Sequence, residues 1–231
     1  MRSAALGPVA TWLIRCGVTA DTVTLVSLAL ALGAAVLLGT GHFGPAAAAM
    51  IVSSLGDALD GLMARRSGSA SVPGALLDAS ADRYGELFFL GGIAVWFHDS
   101  VAILALTLAA IAGSFMVSYG SAKAEAIGVP VPPGVMRRAE RAACLCTGVL
   151  LASMLGDGAI VVAVALVAVV GNVSAIRRLV KLARISCVPS AAGGAIIRHA
   201  RPMDLPVRRA GRAPVREVRK QLERQRVRPG G

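Results

Sequence analysis

The sequence predicts an all-α integral membrane protein in which six transmembrane helices follow an N-terminal interfacial amphipathic helix. Three observations lead to this fold class. Of the 231 residues, 55% are hydrophobic and only 16% are charged, whereas soluble domains carry about 25% charged residues. Mean hydropathy is +0.69, and the apolar residues stand in long Ala-, Leu- and Gly-rich runs that do not alternate as strands do. Lysines and arginines gather on alternate connections between these runs, as in multi-pass membrane proteins.

The first element is a short amphipathic helix over residues 3–18. Trp12 and Arg15 would lie at the level of the lipid headgroups, and a frayed tail is the alternative. Six segments of about 20 mostly apolar residues follow, the length that spans a bilayer. Asp21 is a candidate N-cap of the first segment, and Pro45 suits the first turn of the second. The segments cover residues 22–40, 45–65, 74–97, 100–126, 139–156 and 158–177.

The distribution of basic residues orients these spans. The connections near Gly41, Asp99 and Asp157 contain no Lys or Arg. Because basic connections stay in the cytoplasm, both termini are expected there, in the inner (plasma) membrane of a bacterium. The basic residues of the other connections are Arg65, Arg66, Lys123, Arg137, Arg138, Arg141, Arg177, Arg178, Lys181 and Arg184.

The chain thus divides into three expected parts. Residues 1–20 form the interfacial helix, 21–185 the six-helix membrane domain, and 186–231 a basic, disordered cytoplasmic tail. From Arg198 onward the tail holds ten Arg and one Lys against three acidic residues. An electrostatic tether to anionic lipid, worth about 1 kcal/mol per basic residue, is the alternative role. Nucleic-acid binding is not expected, because the tail has no aromatic residue on which bases could stack.

Four carboxylates stand out within this apolar sequence. On helices, Asp57 and Asp60 share one face, and so do Asp78 and Asp82. Two helices joined by a short turn would bring all four together at the cytoplasmic end of the bundle. Carboxylates crowded in a low-dielectric place need a bound cation. Oxygen ligands suit Mg²⁺ or Mn²⁺, which in turn hold phosphate oxygens.

The spacing around these carboxylates resembles a family signature. The pattern D-G-x2-A-R-x8-G-x3-D-x3-D of the CDP-alcohol phosphotransferase (phosphatidyltransferase) family is matched at every fixed position, from Asp60 to Asp82, and Asp57 matches a further Asp three residues earlier. The resemblance covers residues 1–185, and family members are commonly homodimers. It implies transfer of a substituted phosphate from a CDP-alcohol to an acceptor hydroxyl, with release of CMP. The fixed residues are Asp60, Gly61, Ala64, Arg65, Gly74, Asp78 and Asp82.

The resemblance also implies roles for single residues. Asp57, Asp60 and Asp78 would bind two Mg²⁺ or Mn²⁺ ions, with Asp82 also near the metals and acting as general base. Glycine and alanine at the motif positions let the nucleotide approach the backbone, while Arg65 would contact the phosphate or cytidine. The residues expected to contact the CDP-alcohol are Asp57, Asp60, Gly61, Ala64, Arg65, Ser71, Gly74 and Asp78.

A second stretch bears on the acceptor. Residues 118–125 (SYGSAKAE) and 137–141 (RRAER) resemble the bacterial subgroup that uses CDP-diacylglycerol, above all phosphatidylinositol phosphate synthases. Lys123, Arg138 and Arg141 would then form a basic pocket for the phosphate of a small polyol acceptor, inositol 1-phosphate being preferred. The chain departs from that pattern at Ser121, where those enzymes have Lys, at Lys123, where they have Arg, and at Val72, where they tend to have Arg.

Several alternatives stay open at this point. Glycerol 3-phosphate is the second candidate acceptor, because phosphatidylglycerophosphate synthases share the general pattern. Positive-inside topology alone would also account for the basic residues near the acceptor stretch. The four aspartates also leave three other functions open. The protein could be an ion-conducting bundle, an aspartate-rich prenyltransferase or a catalytically silent membrane partner.

Overall fold

The structure, a computed structural model, describes residues 2–68, 71–130 and 134–186. These residues contain seven α-helices and no strand, which confirms the all-helical class. The expected tail at 186–231 lies, beyond Ser186, outside the described residues. The helices are α1 (Arg2–Arg15), α2 (Ala20–Gly39), α3 (Phe43–Ser67), α4 (Val72–Trp96), α5 (Val101–Ala126), α6 (Arg138–Leu155) and α7 (Gly158–Ser186).

The start of α2 differs from the sequence-based expectation. Its N-cap is Thr19, whose side-chain oxygen accepts a hydrogen bond from the backbone N–H of Thr22 at 3.2 Å. Asp21, the expected cap, lies in the first turn instead. Thr19 has the extended backbone that an N-cap requires. The side chain of Asp21 therefore does not cap the helix.

The helices pack in a bundle whose core combines small and branched apolar residues. Helix α2 packs against α3 and α4. Helix α5 packs against α4 and α7, and helix α6 packs against α3 and α7. Small residues permit close approach of the backbones: a Cβ on Gly92 of α4 would lie 2.6 Å from the Ala35 carbonyl oxygen of α2. Between α5 and α7, the Asn172 amide donates to the carbonyl oxygen of Ala109 at 2.8 Å.

Helix α1 packs against the end of α3 on which the motif lies. Ala10 of α1 is buried against Leu62 and Met63 of α3, whereas Trp12 remains 62% exposed. Arg66, at the end of α3, donates to the Gly7 carbonyl oxygen at 2.5 Å and to the Thr11 hydroxyl at 3.0 Å. Apolar packing and two hydrogen bonds thus attach α1 to α3.

Four helices, α2, α3, α5 and α7, are long and apolar enough to cross a membrane. The other two predicted spans, α4 and α6, differ in their charge. Helix α4 carries Asp78, Asp82, Arg83 and Glu86, and α6 has 18 residues and starts with Arg138, Glu140 and Arg141. The chain is therefore a multi-helix membrane protein by composition, while the count of six spans stays a prediction.

The last helix is longer than expected. Helix α7 continues to Ser186, nine residues beyond the predicted end at 177. A helix can continue past its apolar segment when its charged side chains turn inward or reach water. This extension decides where Arg178 lies.

Candidate active site

The four motif aspartates lie on facing stretches of α3 and α4. Asp60 is buried, whereas Asp57, Asp78 and Asp82 are half-buried. Asp57 and Asp78 both lie close enough to Asp60 to interact with it electrostatically, and Asp78 and Asp57 do the same at Asp82. The folded chain thus places Asp57 and Asp78 within electrostatic range of both Asp60 and Asp82.

Asp60 is fixed from two sides. The Thr24 hydroxyl of α2 donates to Asp60 Oδ2 at 2.5 Å, and the backbone N–H of Gly61 donates to Oδ1 at 2.5 Å. Both Thr24 and Asp60 are almost fully buried. A buried carboxylate costs free energy unless it is hydrogen-bonded, so Thr24 supplies a contact that the site requires. Thr24 was not among the expected site residues.

Arg138, the first residue of α6, connects two of the aspartates. Its Nη2 lies 2.5 Å from Asp57 Oδ2, and its Nη1 lies 2.6 Å from Asp82 Oδ1. One guanidinium therefore bridges α3 and α4 through two charge-assisted contacts. The sequence predicted Arg138 as a ligand of the acceptor's phosphate, and its position beside Asp82 brings it next to the expected general base.

Two cavities open at this end of the bundle. The first, called the motif cavity, has a volume of about 460 Å³ and is enclosed by the end of α1 and parts of α2, α3 and α4. Asp60 and Asp78 lie at its wall. The expected CDP-alcohol residues other than Asp57 all line it: Asp60, Gly61, Ala64, Arg65, Ser71, Gly74 and Asp78.

Small residues keep the motif cavity open. A Cβ on Gly74 would lie 3.1 Å from Ser71 Oγ and 3.4 Å from Asp21 Oδ1. Ser71 is itself the N-cap of α4, because its hydroxyl accepts from the Gly74 N–H at 3.1 Å. A side chain on Gly74 would fill the space between α2 and α4, so the motif glycine maintains room for a ligand.

The second cavity, called the basic cavity, has a volume of about 260 Å³. Asp82 and Glu86 of α4 line it together with Ser118 and Ser121 of α5. Five arginines also line the cavity, which is therefore suited to an anion with several oxygen acceptors. They are Arg83, Arg137, Arg138, Arg141 and Arg178.

Arg141 is held more tightly than the sequence implied. Its Nε donates to Glu86 Oε1 at 2.6 Å and its Nη2 to Oε2 at 3.0 Å. Arg141 is 2% exposed and Glu86 is 9% exposed. Removing one partner of such a buried pair typically destabilises a protein by about 3–5 kcal/mol. Arg141 therefore joins α6 to α4 in addition to lining the basic cavity.

Arg178 of α7 was not among the expected site residues. Its Nη1 donates to the Val117 carbonyl oxygen at 2.9 Å and to the Ser121 hydroxyl. Within the described residues it has no acidic partner, and its Nε has no hydrogen-bond partner. A guanidinium that is buried without a counter-ion is suited to bind an anionic ligand. The sequence shows only that Ser174 and Arg178, four residues apart, would share one face of a helix.

Lys123 differs from the other expected acceptor residues. It is exposed in the last turn of α5 and does not line the basic cavity. Of the three residues expected to bind the acceptor's phosphate, Arg138 and Arg141 line the basic cavity and Lys123 does not. Ser121, one of the departures from the resembled pattern, is in the cavity and hydrogen-bonds to Arg178.

The four motif aspartates are also the candidate ligands of a metal ion. Their donors are all oxygen, as Mg²⁺ and Mn²⁺ require. Within the described ranges, no three acidic, His or Cys side chains converge closely enough to hold one ion, because Asp57 and Asp82 turn to Arg138 and Asp60 turns to Thr24. The chemistry of the donor set fits a hard divalent cation.

Comparison with known proteins identifies the family. A family model described as CDP-alcohol phosphatidyltransferase matches residues 17–173. A phosphatidylinositol phosphate synthase of Streptomyces avermitilis is 38% identical over 141 residues, which are 59% of this chain and 58% of that protein.

Two solved structures are also similar. A crystal structure of Mycobacterium tuberculosis phosphatidylinositol phosphate synthase with CDP-DAG bound matches with a TM-score of 0.68 and 30% identity, over 74% of this chain and 90% of that chain. The same protein in complex with manganese and citrate matches with a TM-score of 0.69 and 30% identity, over 76% and 87% of the respective chains. The resemblance seen in the residues from Asp57 to Asp82 is confirmed, and the chain belongs to the CDP-alcohol phosphatidyltransferase family.

Proposed function

We propose that this protein is a phosphatidylinositol phosphate synthase. It moves a phosphatidyl group from CDP-diacylglycerol to a hydroxyl of inositol 1-phosphate and releases CMP. The observation that carries the proposal is the pair of cavities that share α4: Asp78 lines the motif cavity, and Asp82, one turn further on, lines the basic cavity. A donor in the first cavity and a phosphorylated acceptor in the second would meet at these two carboxylates.

The reaction then proceeds by a single displacement at phosphorus. The acceptor oxygen forms a bond to the phosphatidyl phosphorus, the bond from that phosphorus to the CMP oxygen breaks, and CMP leaves. Asp82 receives the proton of the acceptor hydroxyl, acting as general base. Arg138, which contacts Asp82 at 2.6 Å, orients this carboxylate.

A divalent cation completes the donor site. Asp57, Asp60, Asp78 and Asp82 would hold Mg²⁺ or Mn²⁺, as two ions, in line with the manganese complex of the mycobacterial relative. When bound, the metal neutralises the diphosphate and stabilises the leaving CMP. Thr24 and the Gly61 N–H orient Asp60 for this role. The remaining motif residues, Gly61, Ala64, Arg65, Ser71 and Gly74, form the walls for the nucleotide.

The acceptor's phosphate is assigned to the basic cavity. Arg178, Arg138 and Arg141 would provide its positive charge, with Arg178 as the cation least engaged by acidic residues. The Ser118 and Ser121 hydroxyls, on successive turns of α5, offer hydrogen bonds to a polyol. This combination favours inositol 1-phosphate over an acceptor without phosphate, such as free inositol or serine.

The placement in the membrane is part of the same proposal. Helices α2 to α7 form six spans, and α1 lies at the interface with Trp12 towards the lipid. The site and both termini face the cytoplasm of a bacterial cell, since Arg65, Arg66 and Arg138 are at the same end as the cavities. The homodimer and the boundaries at residues 20 and 185 stay predictions.

The deciding experiment measures CMP release by the purified protein in detergent, with CDP-diacylglycerol and Mg²⁺ or Mn²⁺. Inositol 1-phosphate, glycerol 3-phosphate, free inositol and serine are compared as acceptors, with chelator as the control. We expect metal-dependent release with inositol 1-phosphate. CMP release with glycerol 3-phosphate alone would reject inositol 1-phosphate as the acceptor but support transfer from CDP-diacylglycerol. No CMP release with any acceptor would reject the proposed synthase activity.

A further inference from the structure

Arg137 lines the basic cavity but takes no part in its ion pairs. It directly precedes Arg138 at the start of α6 and is exposed to solvent. Its backbone N–H donates to Glu140 Oε2 at 2.9 Å, so this carboxylate is engaged with the first turn of the helix. Within the part of the chain that the structure describes, no acidic side chain forms an ion pair with the Arg137 guanidinium. Its positive charge is therefore not neutralised by a direct partner.

Three of the other arginines that line the cavity have carboxylates beside them. Arg138 contacts Asp82 at 2.6 Å, and Arg141 contacts Glu86 at 2.6 Å. Arg83 also lies within electrostatic range of Asp82. The charge of these three guanidinium groups is thus partly offset by acidic residues of α4. The positive charge that remains for an anionic ligand comes mainly from the other two of the five arginines.

These two residues, Arg137 and Arg178, lie at different depths. Arg178 is 8% exposed, and the Val117 carbonyl and the Ser121 hydroxyl fix its guanidinium against α5. Arg137 is exposed although it lines the same cavity. A residue that is exposed and also lines a cavity lies where that cavity meets solvent. The basic cavity therefore has one unpaired cation at its mouth and one in its interior.

The depth of a charge decides which stage of anion binding it affects. A buried cation is little screened and holds the bound ligand, whereas a solvated cation at the edge of a site mainly changes the association rate and its dependence on salt. A phosphate monoester carries a charge of about −1.5 to −2 at neutral pH. Such a ligand would be attracted first by Arg137 and then reach Arg178 with little change of partner chemistry, because both offer a guanidinium.

We propose that Arg137 is the entry residue of the basic cavity: its solvated charge draws a phosphorylated acceptor from solution to the mouth, from which the phosphate passes to Arg178 inside. The inference rests on the proposed function, since it concerns the acceptor of that reaction. It makes Arg137 a determinant of the preference for phosphorylated over uncharged acceptors. Use of CDP-diacylglycerol should not depend on Arg137, because this residue does not line the motif cavity.

The test compares the purified full-length wild type with Arg137→Gln and Arg137→Lys in detergent. CMP release gives kcat and KM for inositol 1-phosphate at about 20 mM and at about 500 mM NaCl, where charges are screened beyond roughly 20 Å and roughly 4 Å, respectively. Calorimetry gives the Kd of inositol 1-phosphate and of inorganic phosphate on the same preparations. Arg184→Gln is the matched control, because it removes the same charge from an exposed position of α7 that lines neither cavity.

At low salt we expect Arg137→Gln to lower kcat/KM for inositol 1-phosphate by about three- to tenfold. The loss should lie in KM, with kcat and the KM for CDP-diacylglycerol unchanged. At high salt the difference from the wild type should shrink to less than about twofold, because salt screens a solvated charge. Arg137→Lys should restore the wild-type value, since attraction at a distance needs the charge and not the guanidinium fork. Arg184→Gln should behave as the wild type at both salt concentrations.

Several outcomes would reject the entry role while the proposed synthase stands. In the first, Arg137→Gln keeps the wild-type kcat/KM, or Arg184→Gln loses as much as Arg137→Gln does. In the second, the loss in Arg137→Gln is as large at high salt as at low salt. In the third, Arg137→Lys fails to restore activity, which would indicate a bidentate contact with the bound acceptor.

The calorimetric arm separates the entry role from the proposed function. If the wild type releases no CMP but Arg137→Gln binds either anion more weakly than the wild type and Arg184→Gln do, the synthase activity is rejected and the entry role is supported. If the wild type releases no CMP and Arg137→Gln binds both anions as the wild type does, the two proposals are rejected together. A wild type that binds neither anion rejects both the entry role and the acceptor cavity.

Discussion

At the residue scale, Asp82 is a half-buried carboxylate that lines the basic cavity and contacts Arg138. We predict that Asp82→Asn lowers kcat by about 10²- to 10⁴-fold, the usual contribution of a general base, because the amide cannot take the acceptor's proton. CDP binding should change by only a few-fold, because Asp57, Asp60 and Asp78 remain. Turnover and calorimetric CDP binding, measured on the same preparation, provide the comparison.

Glu140→Gln is a suitable control for Asp82→Asn. Glu140 is an exposed carboxylate in the first turn of α6, close in sequence to Arg138 but absent from both cavity linings. It should keep wild-type turnover. An Asp82→Asn protein that releases CMP at the normal rate would show that another group takes the proton, and the general-base role would have to be reassigned.

Arg178 permits a matched pair of substitutions on one helix. Arg178→Ala should raise the KM for inositol 1-phosphate by about tenfold or more and leave the KM for CDP-diacylglycerol nearly unchanged, because the lost cation faces only the basic cavity. Arg177→Ala, on the exposed face of α7, should change neither KM. Equal effects of Arg178→Ala on both substrates would indicate a structural role through Val117 and Ser121 instead of phosphate binding.

At the scale of the helices, the attachment of α1 is open to a direct test. The Arg66 guanidinium contacts the Gly7 carbonyl and the Thr11 hydroxyl, while Ile14 and Val18 beyond them line the motif cavity. We predict that Arg66→Ala loosens α1, since hydrogen bonds to a charged group contribute about 1.5–3 kcal/mol. Faster amide hydrogen exchange in α1 and a raised KM for CDP-diacylglycerol should follow, with kcat little changed.

The control for this element is Arg15→Ala. Arg15 is exposed in the last turn of α1, so its loss removes the same charge from the same end of the molecule without detaching the helix. Its exchange rates and KM should match the wild type. If both variants weaken CDP-diacylglycerol use to the same extent, positive charge near the anionic lipid, and not the contact with α1, is what matters.

At the scale of the whole molecule, the parts that could be predicted from sequence are those set by short-range spacing. The pairs Asp57–Asp60 and Asp78–Asp82 each lie within one helical turn, so their common face follows from helix geometry. The Thr24–Asp60 and Arg138–Asp57 contacts join residues 36 and 81 positions apart, and no local pattern specifies such distances. Arg178 was missed for a related reason: its inward orientation depends on how α7 packs against α5.

The number of spans is the last whole-molecule question, and it has two distinguishable answers. If α4 and α6 cross the membrane with the four apolar helices, Asp99 and Gly158 face outwards and Glu125 faces the cytoplasm. If only α2, α3, α5 and α7 cross, Asp99 faces the cytoplasm and Glu125 faces outwards.

Single-cysteine variants can separate these two topologies. Asp99→Cys, Glu125→Cys and Gly158→Cys are made in a background without the four native cysteines, and intact cells are labelled with a membrane-impermeant maleimide. We expect Asp99→Cys and Gly158→Cys to react in intact cells and Glu125→Cys to react only after permeabilisation, because the basic residues Lys123, Arg137 and Arg138 hold that end of the bundle in the cytoplasm. The reverse pattern at residues 99 and 125 would mean that the charged ends of α4 and α6 keep these helices out of the bilayer, and the two cavities would then have to be reassigned relative to the membrane surface.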